Sequence, residues 1–198
     1  MALSQPHHTP CPLAYTRLHP LSFHRSVRKA LGVRTVFNIL GPLLNPAASQ
    51  RALIGTYSEE MVALMANALF ELGVELVMVV HCGGLDELAP IAVATVATVT
   101  PAGVSIGTID PFLLGFKRCE IADLKGGSAT ENAGILRKVL SGEMTGPVAD
   151  TVILNAGAGL YVAGAAESVA DGCTQAAAAV KAGKPMEVLA KWVAACQE

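Results

Sequence analysis

The segment from residue 51 to residue 81 constrains the fold more than any other part of the sequence. A short apolar run, RALIGTY, precedes apolar residues at helical spacing: Met61, Val62, Met65, Leu69 and Leu72. Gly73 predicts the end of that helix, and the apolar run ELVMVVH is typical of a strand buried in a parallel sheet. The order strand, helix, strand predicts two parallel strands and an α/β fold.

The neighbouring segments extend this architecture. Ser58 is the expected N-cap of the helix, with acids in the first turn. The uncharged run from Leu88 to Ile109 contains two prolines and the turn sequence TPAG, so it predicts two strands and a tight turn instead of a membrane span. Residues 147 to 195 are expected to be helical, and the Ala- and Gly-rich residues 155 to 166 predict close helix packing.

Composition and charge limit the class of function. The hydrophobic fraction of 52% indicates buried parallel strands or a surface hidden in an oligomer, and the net charge of −2 argues against a nucleic-acid-binding protein. Residues 1 to 58 carry six Lys or Arg and no acid, which indicates a targeting leader or a local site for an anionic ligand. The five cysteines form no CxxC pair and predict free thiols, not a zinc site or a disulfide framework.

The sequence VVHCGGLDEL is the strongest local candidate for a functional site. Asp86 and Glu87 follow a predicted buried strand and two glycines, at the sheet edge where α/β proteins place their ligands. Adjacent carboxylates on such a loop suit Mg²⁺. The alternative is a solvated helix N-terminus with acids in its first turn, and the motif alone favours that alternative.

Three further segments could bind an anion or a flat apolar group. The basic cluster comprises His19, His24, Arg25, Arg28, Lys29 and Arg34. An arginine there could hold a carboxylate through two hydrogen bonds, although a solvated basic face is the simpler interpretation. The following segment, LGVRTVFNILGPLLNP, places prolines and asparagines among apolar residues and predicts a bent loop against a flat apolar partner. The glycine turn in LKGGSATENA predicts helix capping in preference to phosphate binding.

Four motifs together resemble one enzyme family, the anthranilate phosphoribosyltransferases. They are LGVRTVFNILGPLLNPA, VVHCGGLDEL, DLKGGSATENA and DTVILNAGAGLYVAG, in the family's order and approximate spacing. The resemblance covers residues 19 to 195 and leaves residues 1 to 18 as an unmatched N-terminal segment. The wording of the motifs is most similar to that of plant-type members. It implies that residues 19 to 198 are part of a phosphoribosyltransferase α/β domain. This would be the C-terminal part of a mixed, mainly parallel sheet domain flanked by helices, with an all-helical C-terminal end.

The resemblance implies an activity in tryptophan biosynthesis. Such enzymes transfer the phosphoribosyl group of phosphoribosyl pyrophosphate (PRPP) to anthranilate and release pyrophosphate, with Mg²⁺ as cofactor. By this resemblance Arg28 binds the anthranilate carboxylate, His19 and Pro42 belong to the anthranilate site, and Asp86 and Glu87 hold Mg²⁺. No residue is predicted to act as a covalent nucleophile or general base.

The chain also departs from the family pattern. The family's N-terminal helical domain and its glycine-rich pyrophosphate loop of GTGGD type are missing, so the chain alone is expected to be inactive. The complete enzyme is expected to be a homodimer, without nucleic-acid or membrane partners, in the cytoplasm or a plastid. A nucleoside phosphorylase of the same fold and a non-catalytic remnant or partner subunit stay open as alternatives.

Overall fold

The computed structural model describes residues 37 to 45 and 47 to 196. The described residues fall into two compact units. Residues up to Ala48, with Cys196, belong to the first, and Ser49–Ala195 form the second. His19, Arg28 and the rest of the predicted basic cluster lie outside the described residues.

The described part of the first unit contains one short helix. Helix α1 spans Phe37–Leu43 and includes Pro42 near its end, where the proline ring is exposed. The bent loop predicted for this segment is therefore wrong for these seven residues. The chain leaves the helix in a turn closed by Asn45, whose Oδ1 accepts a hydrogen bond from the Ala47 N–H at 3.0 Å.

The second unit is built on a four-stranded mixed sheet in which sequence order and spatial order coincide. Its strands are β1 (Arg51–Gly55), β2 (Leu76–His81), β3 (Ala94–Thr100) and β4 (Gly103–Ile109). β1 and β2 are parallel, whereas β2 with β3 and β3 with β4 are antiparallel. The predicted mixed sheet and the hairpin between Leu88 and Ile109 are confirmed, and antiparallel pairs outnumber the parallel pair among the described strands.

Helix α2 (Glu60–Glu71) connects the two parallel strands and covers one face of the sheet. Val62, Met65 and Leu69 are buried as predicted, but Leu72 is 60% exposed because the helix ends there and Gly73 turns away with a φ of +71°. The expected Ser58 cap is also wrong. Glu59 occupies the N-cap position without a side-chain cap bond.

The opposite face of the sheet is covered by helix α4 (Pro147–Ala163). Alternating strand residues point to opposite faces, so Met78 and Val80 pack with Leu154, Ala158 and Val162 of this helix, while Val77 and Val79 are buried on the other side. A hydrogen bond from Arg51 Nη1 to the Val162 carbonyl at 3.1 Å joins the start of β1 to the end of α4, and a salt bridge joins Arg51 to Glu75, the residue before β2.

The remaining elements confirm a helical C-terminal end. A 3₁₀ helix (Ile121–Leu124) and α3 (Ala129–Leu140) precede α4, and α5 (Val169–Lys181) and α6 (Lys184–Ala195) follow it. Within the part of the chain that the structure describes, no helix has both the length and the apolar character needed to cross a membrane.

Two glycines allow α4 and α5 to pack very closely. A Cβ atom at Gly157 would lie 2.5 Å from both the backbone nitrogen and the sulfur of Cys173. A Cβ atom at Gly172 would lie 2.2 Å from the Gly157 carbonyl oxygen. Both distances are too short for real atoms, so the close packing predicted from the small residues of this segment is confirmed.

Candidate functional site

The acidic pair follows β2 on a tight turn at the carboxyl end of that strand. Cys82 and Leu85 exchange backbone hydrogen bonds of 3.0 and 2.9 Å, and Asp86 and Glu87 come next, both exposed. No helix begins between residues 82 and 93, all of which the structure describes. The predicted loop position is therefore confirmed, and the alternative of a helix N-terminus is wrong.

Glu87 lies in an environment that disfavours its negative charge. Partial desolvation raises the pKa of Glu87 above its ordinary value, and the neighbouring Asp86 charge raises it further. Neither carboxylate forms a salt bridge with any described residue. A bound cation would relieve the repulsion between the two charges.

His81 fixes the start of the acidic turn. Its Nδ1 lies 2.8 Å from the Thr56 carbonyl oxygen, and its Nε2 accepts a hydrogen bond from the Gly84 N–H at 3.2 Å. A carbonyl can only accept and an amide N–H can only donate, so these partners require a neutral imidazole with its proton on Nδ1. The end of β2 thereby orients the glycine pair.

Gly55 allows the acidic segment to approach β1. A Cβ atom at this position would lie 1.5 Å from the Asp86 carbonyl oxygen and 2.4 Å from its carbonyl carbon. Only a residue without a side chain can occupy this site, because both clashing atoms belong to backbone. Sequence reasoning did not single out Gly55. The only signal was a glycine at the end of a predicted strand.

Asn155 of α4 holds the residue after the acidic pair. Its Oδ1 accepts a hydrogen bond from the Leu88 N–H at 3.0 Å, and its Nδ2 donates to the Leu88 carbonyl at 2.6 Å. The same Nδ2 donates to the Thr151 carbonyl at 2.9 Å. The asparagine was noticed only as part of the motif DTVILNAGAGLYVAG, without a role.

The donor set of the pair fits Mg²⁺, provided that further ligands come from elsewhere. Mg²⁺ binds hard oxygen atoms and commonly uses one or two carboxylates, with waters and substrate phosphates as its other ligands. Over residues 37 to 45 and 47 to 196 no group of three or more His, Cys, Asp or Glu side chains could hold a metal ion. A cation at the two carboxylates would therefore need further oxygen ligands, from water or from a bound molecule.

Of the three other residues predicted for the site, His19, Arg28 and Pro42, the structure describes only Pro42. His19 and Arg28 lie outside the described residues, and Pro42 belongs to the first compact unit. The glycine turn before α3 has the capping role that the sequence predicted. Ser128 Oγ accepts a hydrogen bond from the Glu131 N–H, and Glu131 Oε2 accepts one from the Ser128 N–H at 2.7 Å.

Similarity to a known protein family shows to which family this chain belongs. Residues 12 to 186 match the family described as "Glycosyl transferase family, a/b domain". The chain belongs to this glycosyl transferase family. The resemblance inferred from the four motifs agrees with this result, because similar proteins are named anthranilate phosphoribosyltransferase.

Several curated glycosyl transferases of this family are similar to the chain. The anthranilate phosphoribosyltransferase of Geotalea uraniireducens (strain Rf4) is 46% identical over 167 residues, which are 84% of this chain and 47% of that protein. The enzyme of the same name from Haloquadratum walsbyi is 43% identical and covers 79% of this chain and 46% of its own length. The chain thus spans about half the length of the curated relatives it matches.

Solved structures of glycosyl transferases in this family confirm the fold. The crystal structure of anthranilate phosphoribosyltransferase from Thermus thermophilus matches with a TM-score of 0.83 and 41% identity, over 92% of this chain and 55% of that one. The Saccharomyces cerevisiae enzyme, described in complex with PRPP and Mg, matches with a TM-score of 0.80 and 28% identity, over 89% and 51% of the two chains.

Proposed function

We propose that this chain is the C-terminal part of an anthranilate phosphoribosyltransferase, which acts in tryptophan biosynthesis. The complete protein would transfer the phosphoribosyl group of PRPP to the amine of anthranilate and release pyrophosphate. The exposed Asp86–Glu87 pair at the end of β2, without a salt-bridge partner among the described residues, is the observation that supports the proposal best. The names of the similar enzymes supply the substrates.

In this proposal Asp86 and Glu87 bind Mg²⁺ beside the pyrophosphate of PRPP. When bound, the cation would neutralise negative charge on the leaving pyrophosphate. The chain's own contribution is geometric. The turn at the end of β2 contains two exposed acidic residues in succession, and a bound cation would relieve the effect of the Asp86 charge on Glu87. A proton on Glu87 would compete with the cation, so binding should weaken as the pH falls.

The anthranilate site is assigned to the N-terminal part of the chain. Arg28 would hold the anthranilate carboxylate through paired hydrogen bonds from its guanidinium, with His19 and Pro42 lining the site. Catalysis would rest on orienting the amine towards the sugar carbon and on stabilising the leaving group, without a covalent nucleophile. The complete enzyme is proposed to be a homodimer.

Substitution of Arg28 tests the assignment of substrate. We expect Arg28→Ala to weaken anthranilate binding about ten- to hundredfold, since a charge-assisted hydrogen bond is worth roughly 1.5–3 kcal/mol. Arg28→Lys should recover only part of this loss because an ammonium cannot form the paired contact. Binding to the chain can be followed by the intrinsic fluorescence of anthranilate. Steady-state kinetics require the chain fused to the N-terminal half of the Geotalea uraniireducens relative.

Arg25→Ala is the matched control, because it removes a neighbouring cation from the same segment. The proposal predicts a large change in the anthranilate KM for Arg28→Ala only, with a PRPP KM close to that of the parent. Equal, small effects of both substitutions would remove Arg28 from the site. Anthranilate binding without turnover in the fused protein would favour a non-catalytic role.

A further inference from the structure

A single buried residue, Leu88, connects Asn155 to the acidic pair. Leu88 directly follows Glu87, and its side chain is buried in the core between β2, β3 and α4. Its N–H and its carbonyl both bond to the Asn155 side chain. One amide group on a helix therefore satisfies both backbone polar groups of the residue beside the proposed metal ligands.

We propose that Asn155 is a positioning residue that fixes the Asp86–Glu87 pair for cation binding, an inference that rests on the proposed function. The Cα atom of Glu87 lies one peptide unit from Leu88, at a distance of about 3.8 Å. Because Leu88 is held by its side chain and by both backbone groups, the position of the Glu87 backbone is restricted in turn. The carboxylates themselves stay exposed and free to bind.

The opposite side of the pair is restricted by β1. The Asp86 carbonyl lies against Gly55 so closely that no side chain fits between them. The segment is thus held at Asp86 by packing and at Leu88 by hydrogen bonds. Glu87 lies between these two points, so neither carboxylate can move far from the end of β2 unless one of the contacts breaks.

The chemistry of the asparagine side chain explains why this residue type is suitable. Its oxygen accepts from the Leu88 N–H, while its NH₂ group donates to the carbonyls of Leu88 and Thr151. An ionised aspartate could not donate, and alanine would leave both backbone groups of Leu88 without these partners. The position of helix α4 is itself fixed, because Leu154, Ala158 and Val162 are all buried against the sheet.

The test compares Asn155→Ala with Asn67→Ala. Asn67 of α2 donates from Nδ2 to the carbonyl four residues earlier, Ala63, at 2.9 Å, just as Asn155 donates to Thr151. Asn67 lies on α2, which covers the other face of the sheet, so it controls for loss of a helical asparagine. Mn²⁺ serves as the probe, with its affinity measured from paramagnetic broadening of amide signals in residues 81 to 88. Metal-site positioning residues typically change affinity by about tenfold or more.

We expect Asn155→Ala to weaken Mn²⁺ binding about tenfold and Asn67→Ala to leave it unchanged, at a temperature where both variants are folded. Reduced thermal stability of Asn155→Ala with unchanged Mn²⁺ affinity would overturn the inference, because a purely structural role predicts that result. The double variant Asp86→Asn/Glu87→Gln distinguishes failure of the positioning role from failure of the proposed metal site. If it retains the broadening, or if the parent shows none, the proposed metal site fails.

Amide hydrogen exchange at Leu88 tests the positioning role without a metal. The measurement on the parent chain applies even if Asn155→Ala does not fold. In the parent chain the Leu88 amide should exchange as slowly as the amides in the middle of α4, since it donates to a side chain of that helix. In a folded Asn155→Ala variant its exchange should accelerate towards that of an exposed loop. Fast Leu88 exchange in the parent would show that the contact is not maintained and would overturn the inference.

Discussion

Replacing Gly157 by alanine should open the contact between α4 and α5. The new Cβ would lie 2.5 Å from the Cys173 nitrogen and 2.8 Å from its Cα, and neither backbone atom can rotate away. Overpacking of this kind usually costs about 1–3 kcal/mol of folding free energy. Alanine also has a helix propensity about 1 kcal/mol better than glycine, which offsets part of that cost.

Gly159 in the same helix separates these two effects. A Cβ there would meet no atom within 4 Å, so Gly159→Ala should only gain helix propensity, by about 0.5–1 kcal/mol. The difference in unfolding free energy between the two alanine variants therefore isolates the steric cost, about 1–3 kcal/mol. In a chain of this size that corresponds to roughly 2–12 °C in Tm.

Urea titrations of the parent and both variants measure the difference, and the reactivity of Cys173 reports where it arises. Burial raises the pKa of the Cys173 thiol to about 11, so this thiol should react slowly with iodoacetamide at about pH 8. Gly157→Ala should accelerate that reaction because the clash includes Cys173 Sγ. Equal stability of the two alanine variants, with unchanged Cys173 reactivity, would refute the close-contact argument.

Two further predictions concern Glu87 and Ser128. The folded-state pKa of Glu87 is raised, so the folded chain binds this proton more tightly than the unfolded chain, and stability should fall as the pH rises above the ordinary value of 4.5. Glu87→Gln should remove that part of the pH dependence in urea midpoints measured from about pH 4 to 7, and an unchanged profile would exclude Glu87 as its source. Ser128→Ala should lower the free energy of unfolding by about 1 kcal/mol through loss of the capping box, as measured by urea titration. Ser141→Ala, at the other end of the same helix, is the control, and equal losses in the two variants would contradict the capping role.

Local patterns predicted the elements correctly where one segment alone determines them. The strand–helix–strand unit, the hairpin and the helix cap after the glycine turn in LKGGSATENA each follow from spacing and turn residues within a few positions. The errors lie at element ends. Leu72 matches the apolar spacing but falls where the helix stops, and Ser58 lies one residue before the N-cap position.

The contacts that hold the acidic pair could not be predicted, because they join distant parts of the chain. Asn155 and Leu88 are 67 positions apart, and only the packing of α4 on the sheet brings them together. Gly55 likewise lies in no local turn that would predict a glycine. It is needed because the Asp86 backbone, which follows β2, packs against it. The position of the pair after β2 was predictable because strand and acids are adjacent in sequence.

The antiparallel pairing of β2 with β3 also affects the thermodynamics of the turn between them. β2 ends at His81 and β3 begins at Ala94, so residues 82 to 93 form a loop whose two ends are joined by the sheet. The entropy of closing this loop is lost when the sheet forms, before any ligand arrives. A cation that binds there would encounter an already ordered backbone, and little of its binding free energy would be needed to order the chain.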